Sequence, residues 1–196
     1  MAIKGTRSSN AKKTNITLPE IELAIAKYYG TRQHIIVPNI SWGFSWNDKQ
    51  GWHSMHECDM FIIKKTGYAV EVEIKRSKSD LLNDFKKRHK HESNKIKEFF
   101  YAIPKDKVDE WSKLIPKHAG IIEYWKYEEN IWDKKKHQWS NKTKWVVKAR
   151  ITRNAEINKT ASPLTVPEQL KIARLGTLRI WNLKEKMIKN ATGKKI

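Results

Sequence analysis

Glu71, Glu73 and Lys75 stand on alternate positions of one short apolar run, and this is the densest chemistry in the chain. They belong to a stretch from Glu57 to Lys75 in which Met60 to Ile63 precede Thr66-Gly67 and Tyr68 to Ile74 follow it, a pattern that predicts a β-hairpin. Side chains alternate along a strand, so the two carboxylates and the ammonium share one face while Val70, Val72 and Ile74 share the other. Asp59 opens the first strand, where ladder pairing brings its carboxylate beside that row. Carboxylates at short range repel unless a positive charge lies between them, and a divalent cation and a lysine both answer that need. Oxygen ligands on rigid strands suit Mg²⁺, which takes one or two protein carboxylates and leaves its other positions to water and substrate phosphate. A lysine two residues on can orient an attacking water or steady a developing charge.

Asp59, then Glu73-Ile74-Lys75 on the next strand, then the helix-like Ser77-Lys-Ser-Asp-Leu-Leu-Asn-Asp-Phe-Lys-Lys, resemble the PD-(D/E)XK nuclease superfamily, which includes restriction endonucleases and archaeal Holliday-junction resolvases. The resemblance runs from about Leu18 to Tyr127. It implies an α/β fold with a restriction-endonuclease-like αβββαβ core, a mixed sheet flanked by helices, and a C-terminal helical extension. It also implies a phosphodiesterase that cuts DNA internally, in which Asp59 and Glu73, with the Ile74 carbonyl, hold Mg²⁺ or Mn²⁺ and Lys75 positions the water. Glu57-Cys58-Asp59 stands where the superfamily carries Pro-Asp, which leaves Glu57 as an alternative to Asp59. The superfamily often adds a helix glutamate near the metal.

These residues need a scaffold. Thr17-Leu18-Pro19-Glu20 fits a helix start, with Thr17 as cap and Glu20 as its partner, and the helix should end near Gly30. Leu18, Ile21, Ile25, Tyr28 and Tyr29 make its apolar face, Glu22 falls on the edge of that face and Glu20 on the opposite side. Glu22 is therefore the candidate helix carboxylate, and an edge glutamate paired with a lysine is the structural alternative. His34 to Val37 reads as a strand stopped by Pro38-Asn39, followed by a loop or ribbon to Met55. That connection holds Trp42, Phe44, Trp46 and Trp52, which either pack over the sheet edge, the favoured reading, or stack on unpaired bases. Cys58 flanks His53 and His56, but a structural zinc takes four ligands, usually with more sulfur, so a buried core thiol is favoured.

Beyond Lys75, a helix capped at Ser77 and striped by Leu81, Leu82 and Phe85 should reach about His89. Phe99 to Ile103 reads as a strand, Val108, Trp111 and Leu114 as a helix, and Ala119 to Tyr127 as the next strand. Lys134 to Arg150 carries basic residues and no acid, with Trp139 and Trp145 interleaved, and reads as a basic loop followed by a strand from Trp145 to Ile151. Asn154 to Pro163 is a linker by composition. Thr165 to Glu168 then caps one long helix, or two short ones separated near Gly176, which packs on the core or makes a homodimer. Three segments result: a flexible basic arm over 1–16, a nuclease-like domain over 17–153, and a linker with a C-terminal helical extension over 154–196.

The net charge of +19, from 40 Lys and Arg against 21 Asp and Glu, exceeds what solubility needs and implies a polyanionic partner. Nucleic acid comes first, DNA before RNA. The excess beside the acidic cluster, Arg76, Lys78, Lys86, Lys87, Arg88 and Lys90, reads as a phosphate track, while the arm over 1–16 is either a plain tail or a further phosphate contact. No apolar run approaches a transmembrane span and no signal-peptide pattern is present, so no membrane partner and a cytoplasmic location are expected. A single cysteine suits a reducing compartment. Two other functions compete: a nucleic-acid-binding protein that keeps the nuclease fold without catalysis, and a basic module that meets an acidic protein.

Overall fold

The computed structural model describes residues 15–42, 46–48, 51–53, 56–86, 93–133, 135 and 137–192. The aromatic side chains of Trp42, Phe44, Trp46 and Trp52, the side chains of His53, His56 and Glu57, the arm over 1–14, and Lys87, Arg88 and Lys90 lie outside what is described.

Helix α1 (Leu18–Tyr29) starts as its sequence dictates. The Glu20 carboxylate accepts from the Thr17 N–H and hydroxyl, each at 2.8 Å, and Gly30 ends the helix at a φ of 90° that a side chain would oppose. Its buried stripe is Ile21, Ala24 and Ile25. Tyr28 turns to solvent, so the apolar face is narrower than predicted.

The strands are β1 (Ile35–Trp42), β2 (Trp46–Asp48), β3 (Gly51–His53), β4 (His56–Ile63), β5 (Ala69–Ile74), β6 (Ile96–Pro104), β7 (Gly120–Asp133) and β8 (Gln138–Arg153). Six of them form one mixed sheet in the order β1-β4-β5-β6-β7-β8, and β2 with β3 makes a separate antiparallel ribbon. The β4–β5 hairpin closes where Thr66-Gly67 predicted, with Gly67 at φ 81°. Strands β5, β6 and β7 run parallel, which requires crossovers; these carry helix α2 (Lys78–Asp84) and the single turn α3 (Val108–Trp111). One face of the sheet packs Met60, Val72, Phe100 and Ile122 against α1. The other packs Phe61, Ile103 and Ile121 against Leu81, Trp111 and Ile172 from the remaining helices. A mixed sheet flanked by helices and followed by a C-terminal helix is thus the architecture.

Four expectations need correction. Strand β1 does not stop at Pro38. It is an edge strand paired only to β4, the place in a sheet where proline is tolerated, and the strand continues after Asn39 takes a left-handed φ of 50°. The basic segment before Trp145 is mostly strand, because β8 begins at Gln138 and continues through it, and Lys144, like Lys148 and Arg150 further along the same face, meets an acid on β7, with Lys144 and Lys148 at 3.7 and 3.8 Å from Glu129. Residues 154–163 are a packed strap. Asn158 donates through its side chain to the Ser93 and Ile96 carbonyls at 3.0 Å, and Ala155 and Ala161 are buried. Finally, α2 ends at Asp84, short of His89.

Helix α4 (Val166–Thr192) is continuous through Gly176. A Cβ there would stand 3.1 Å from Val37 Cγ2, so the glycine lets the helix lie close against β1. Its start is fixed by the predicted capping box, with Thr165 N–H donating to Glu168 at 2.7 Å, and by Lys95 at 3.2 Å from the same carboxylate. No described helix is long and apolar enough to cross a membrane.

Candidate functional site

Register places the site. Pro38 stands opposite Met60 and Ile40 opposite Cys58, so Asn39 lies across from Asp59. Met60 pairs with Val72, which sets Asp59 across from Glu73, and Glu73 pairs with Tyr101. Four strands therefore contribute one row: Asn39, Asp59, Glu73, Tyr101.

The ladder of β4 with β5 begins only at Met60, which would orphan the Ile74 N–H. The Asp59 carboxylate takes that bond at 2.7 Å and is thereby fixed beside Glu73. Glu73 and Lys75 are only 2% and 3% exposed. The Lys75 ammonium donates to Glu73 Oε2 at 2.9 Å and to Asp84 Oδ1 at 2.8 Å, and the Tyr101 hydroxyl donates to Asp84 Oδ2 at 2.8 Å. Tyr101 is wedged by edge-on contacts with Phe99 and Phe85, so the whole network is held by packing. The Tyr124 hydroxyl donates to the Lys75 carbonyl at 3.2 Å.

The electrostatics follow from burial and pairing. Burial, and then the Asp59 charge, push Glu73 up to about 7 against the opposing pull of Lys75. Burial opposes the Lys75 charge, but Glu73 and Asp84 outweigh it and hold the ammonium above its ordinary range. Burial and the neighbouring Asp84 likewise raise Tyr101. Glu73 Oε1 is buried without a hydrogen-bond partner. An orphan carboxylate oxygen beside a second carboxylate is the donor set a hard divalent cation satisfies, and Mg²⁺ needs no more than two protein carboxylates. Asp59, Glu73 and Ile74 thus fit such an ion; no cluster of three or more His, Cys, Asp or Glu side chains suited to a metal occurs among the described residues. Cys58 is a buried core thiol whose pKa is raised by burial, as its packing role predicts.

The helix carboxylates divide. Half-buried Glu22 accepts from the Asn39 side chain at 2.6 Å, and burial, with the charge of Asp59, raises its pKa. Glu20 is occupied by Thr17 and by Lys126 on β7 at 2.8 Å, and these bonds, Lys126 foremost, lower it to about 2. Both glutamates touch the sheet, at different strands, although the helical phase predicts that only one does. Glu22 is the one near Asp59.

A cleft of about 420 Å³ opens here, lined by Asn39, Ser41, Asp59 and Glu73 and, from α4, by Arg179, whose guanidinium donates to the Asn39 carbonyl. Asp84, Tyr101, Asn39 and Arg179 escape a reading of the sequence. Asp84 had a signal: it follows Leu81 by three residues and so shares the buried stripe of α2. Arg179 had none, since its place depends on how α4 docks.

Of the phosphate track, Arg76, Lys78 and Lys86 are exposed near the cluster. Arg76 donates to the Ile16 carbonyl at 3.0 Å and Lys78 pairs with Glu110 at 2.7 Å. Basic and aromatic side chains also lie on the β7–β8 ribbon, where Trp139 and Trp145 are 61% and 53% exposed and Trp145 faces away from Lys144, Lys148 and Arg150. Lys105 and Arg150 lie over Trp125, and Lys148 over Tyr127.

Fold and site together define a mixed α/β protein with a six-stranded sheet in which half-buried Asp59 on β4 lies beside fully buried Glu73 and Lys75 at the end of β5. No protein-family model matches the chain, and no curated protein matches it. The SPO1766 protein of unknown function from Silicibacter pomeroyi is similar in fold, with a TM-score of 0.51 and 12% identity, covering 93% of this chain and 98% of that chain. At that identity the likeness concerns the fold alone.

Proposed function

We propose that the protein is a metal-dependent nuclease of the PD-(D/E)XK type acting on DNA, with α1, β1, β4, β5, α2 and β6 as its restriction-endonuclease-like core. The observation that carries this reading is the buried, unpartnered Glu73 Oε1 beside Asp59, with Lys75 fixed one position beyond Ile74. Mg²⁺ or Mn²⁺ held by Asp59, Glu73 and the Ile74 carbonyl would make water a better nucleophile and offset the charge that develops on the phosphate. Lys75 stays protonated at neutral pH, so it orients the attacking water and balances charge and is not the general base. Asp84 and Tyr101 hold the ammonium in place. Glu22, tethered by Asn39, supports the Asp59 side of the site. As the water oxygen bonds to phosphorus and gives up its proton to solvent, the ester bond opposite breaks and its oxygen takes a proton from solvent.

The test is purified protein on linear, nicked, forked and four-way DNA, with Mg²⁺ and with EDTA. Cleavage should require the metal, and Glu73→Gln or Lys75→Ala should abolish it while DNA affinity stays within about a few-fold, because the basic surfaces supply most of the binding. Undiminished cleavage by either variant overturns the assignment. A non-catalytic DNA-binding protein is the second reading, favoured by the double ion pair that locks Lys75 as a structural charge network would. Salt-sensitive DNA binding without cleavage in any divalent metal would establish it.

A further inference from the structure

We infer that Arg179, brought to the carboxylate cleft by the C-terminal helix, is a phosphate-binding residue that holds a nucleic-acid backbone phosphate against Asp59 and Glu73. The inference rests on the nuclease reading for the chemistry of the site, but the phosphate contact can be tested without it.

The cleft poses an electrostatic problem. Asp59 and Glu73 line it, Glu22 lies close enough to feel the Asp59 charge, and a polyanion approaching such a wall is repelled. Lys75 does not relieve this, since it is buried and committed to Glu73 and Asp84. Among the described residues lining the cleft, Arg179 is the cation.

Its bonding leaves it available. One amino group donates to the Asn39 carbonyl, a neutral acceptor; the charge of Arg179 also reaches Glu22 and opposes the rise in its pKa, but no salt bridge to a carboxylate is formed among the described residues. A guanidinium carries five N–H donors in a planar fork, so donors remain for two oxygens of one phosphate. A hydrated lysine ammonium would not make that bidentate contact.

Its position is also built. Arg179 lies one turn beyond Gly176, whose missing side chain brings α4 against Val37, and Ile172 anchors the preceding turn in the core. The acceptor is equally constrained, because Asn39 holds a left-handed backbone conformation and spends its side chain on Glu22. An arginine whose helix and acceptor are both fixed loses little freedom when a phosphate arrives, unlike a lysine on a surface track.

The experiment measures binding of a short labelled DNA in EDTA across a salt series, with single-turnover cleavage in Mg²⁺, for the full chain and for Arg179→Ala, Arg179→Lys and Arg174→Ala. Arg174 is an exposed arginine on the same helix, about 140° around from Arg179. Arg179→Ala should flatten the plot of log affinity against log salt by about 0.9, the contribution of one phosphate contact, and Arg179→Lys should keep the slope. The cleavage rate should fall at least about tenfold in Arg179→Ala, recover in part in Arg179→Lys, and stay within about twofold in Arg174→Ala. A wild-type slope in Arg179→Ala overturns the inference, and so does an equal loss in Arg174→Ala, which would assign the effect to the general charge of the helix. If the wild type never cleaves but Arg179→Ala still flattens the slope, the nuclease reading fails and the phosphate site stands. Failure of the wild type to bind DNA overturns both.

Discussion

Replacing Glu73 with glutamine should make the protein more stable, and only at neutral and alkaline pH. The native carboxyl binds its proton with a pKa of about 7, against 4.5 for an unstrained glutamate. Between those values the native state holds more protons than the unfolded chain, so stability falls as pH rises through this window and the cost is complete above it. The full cost, net of the attraction to Lys75 that already opposes it, is on the order of 3 kcal/mol for the ionised side chain, and relaxation of the buried site brings the expected gain from Glu73→Gln to about 2 kcal/mol, Asp84 remaining as the anion that holds Lys75. In a chain of this length that is roughly 4–8 °C in melting temperature. The assay is thermal unfolding of wild type and variant at about pH 8 and about pH 5. The gain should appear at the higher pH and largely vanish at the lower, where the wild-type carboxyl is already protonated. On the nuclease reading, Mg²⁺ should also raise the wild-type midpoint and leave that of the variant unmoved, since the stored cost is what a bound cation relieves. A variant that melts below wild type at about pH 8, or gains equally at both pH values, refutes the reasoning.

Asp84→Asn removes one of the two anions that hold the buried Lys75 charge, while keeping an acceptor for Tyr101; a loss of about 2–3 kcal/mol in urea unfolding is expected, and a loss below about 0.5 kcal/mol would show that Glu73 alone suffices. Glu22→Gln should cut the Mg²⁺-dependent cleavage rate about tenfold or more, whereas Glu20→Gln should leave it nearly unchanged and weaken only the cap and the Lys126 contact. A dead Glu20 variant beside an active Glu22 variant would exchange their roles. Gly120→Ala places a Cβ 2.3 Å from the buried Phe100 ring and 2.7 Å from the Ala155 nitrogen, so a loss of about 3 kcal/mol or failure to fold is expected in expression and unfolding tests.

The parts of the fold that were legible in the sequence are those fixed by local chemistry. The capping boxes at Thr17 and Thr165, the turn at Gly67 and the alternation from Val70 to Lys75 depend on neighbours within a few residues, and each predicted its element. What was misread depended on partners far along the chain. Pro38 looks like a stop until one knows that β1 lies at the sheet edge, and the lysines after Asn141 look like a loop until Glu129 is seen across the ladder. The same division runs through the site. Glu73 and Lys75 could be grouped from alternation alone and Asp59 through the expected hairpin and the superfamily resemblance, and continuing the strand register places Asp59 across from Glu73. Arg179 reaches the cleft only because α4 packs against β1 at Gly176, a contact between residues with no local relation.

That last contact has a consequence for the order in which the protein is made. Asp59, Glu73, Lys75 and Asp84 are all supplied by the first half of the chain, and the β4–β5 hairpin with α2 can form as soon as it emerges. The wall that Arg179 supplies comes 104 residues after Lys75, which at ordinary rates of synthesis is a delay of about five to twenty seconds. During that interval the acidic floor of the cleft exists without its arginine, and the packed strap over 154–163 and then α4 must be laid down in turn before the cleft closes. A nascent or C-terminally clipped chain therefore presents bare carboxylates to any polyanion, and only the complete chain presents a surface of mixed charge.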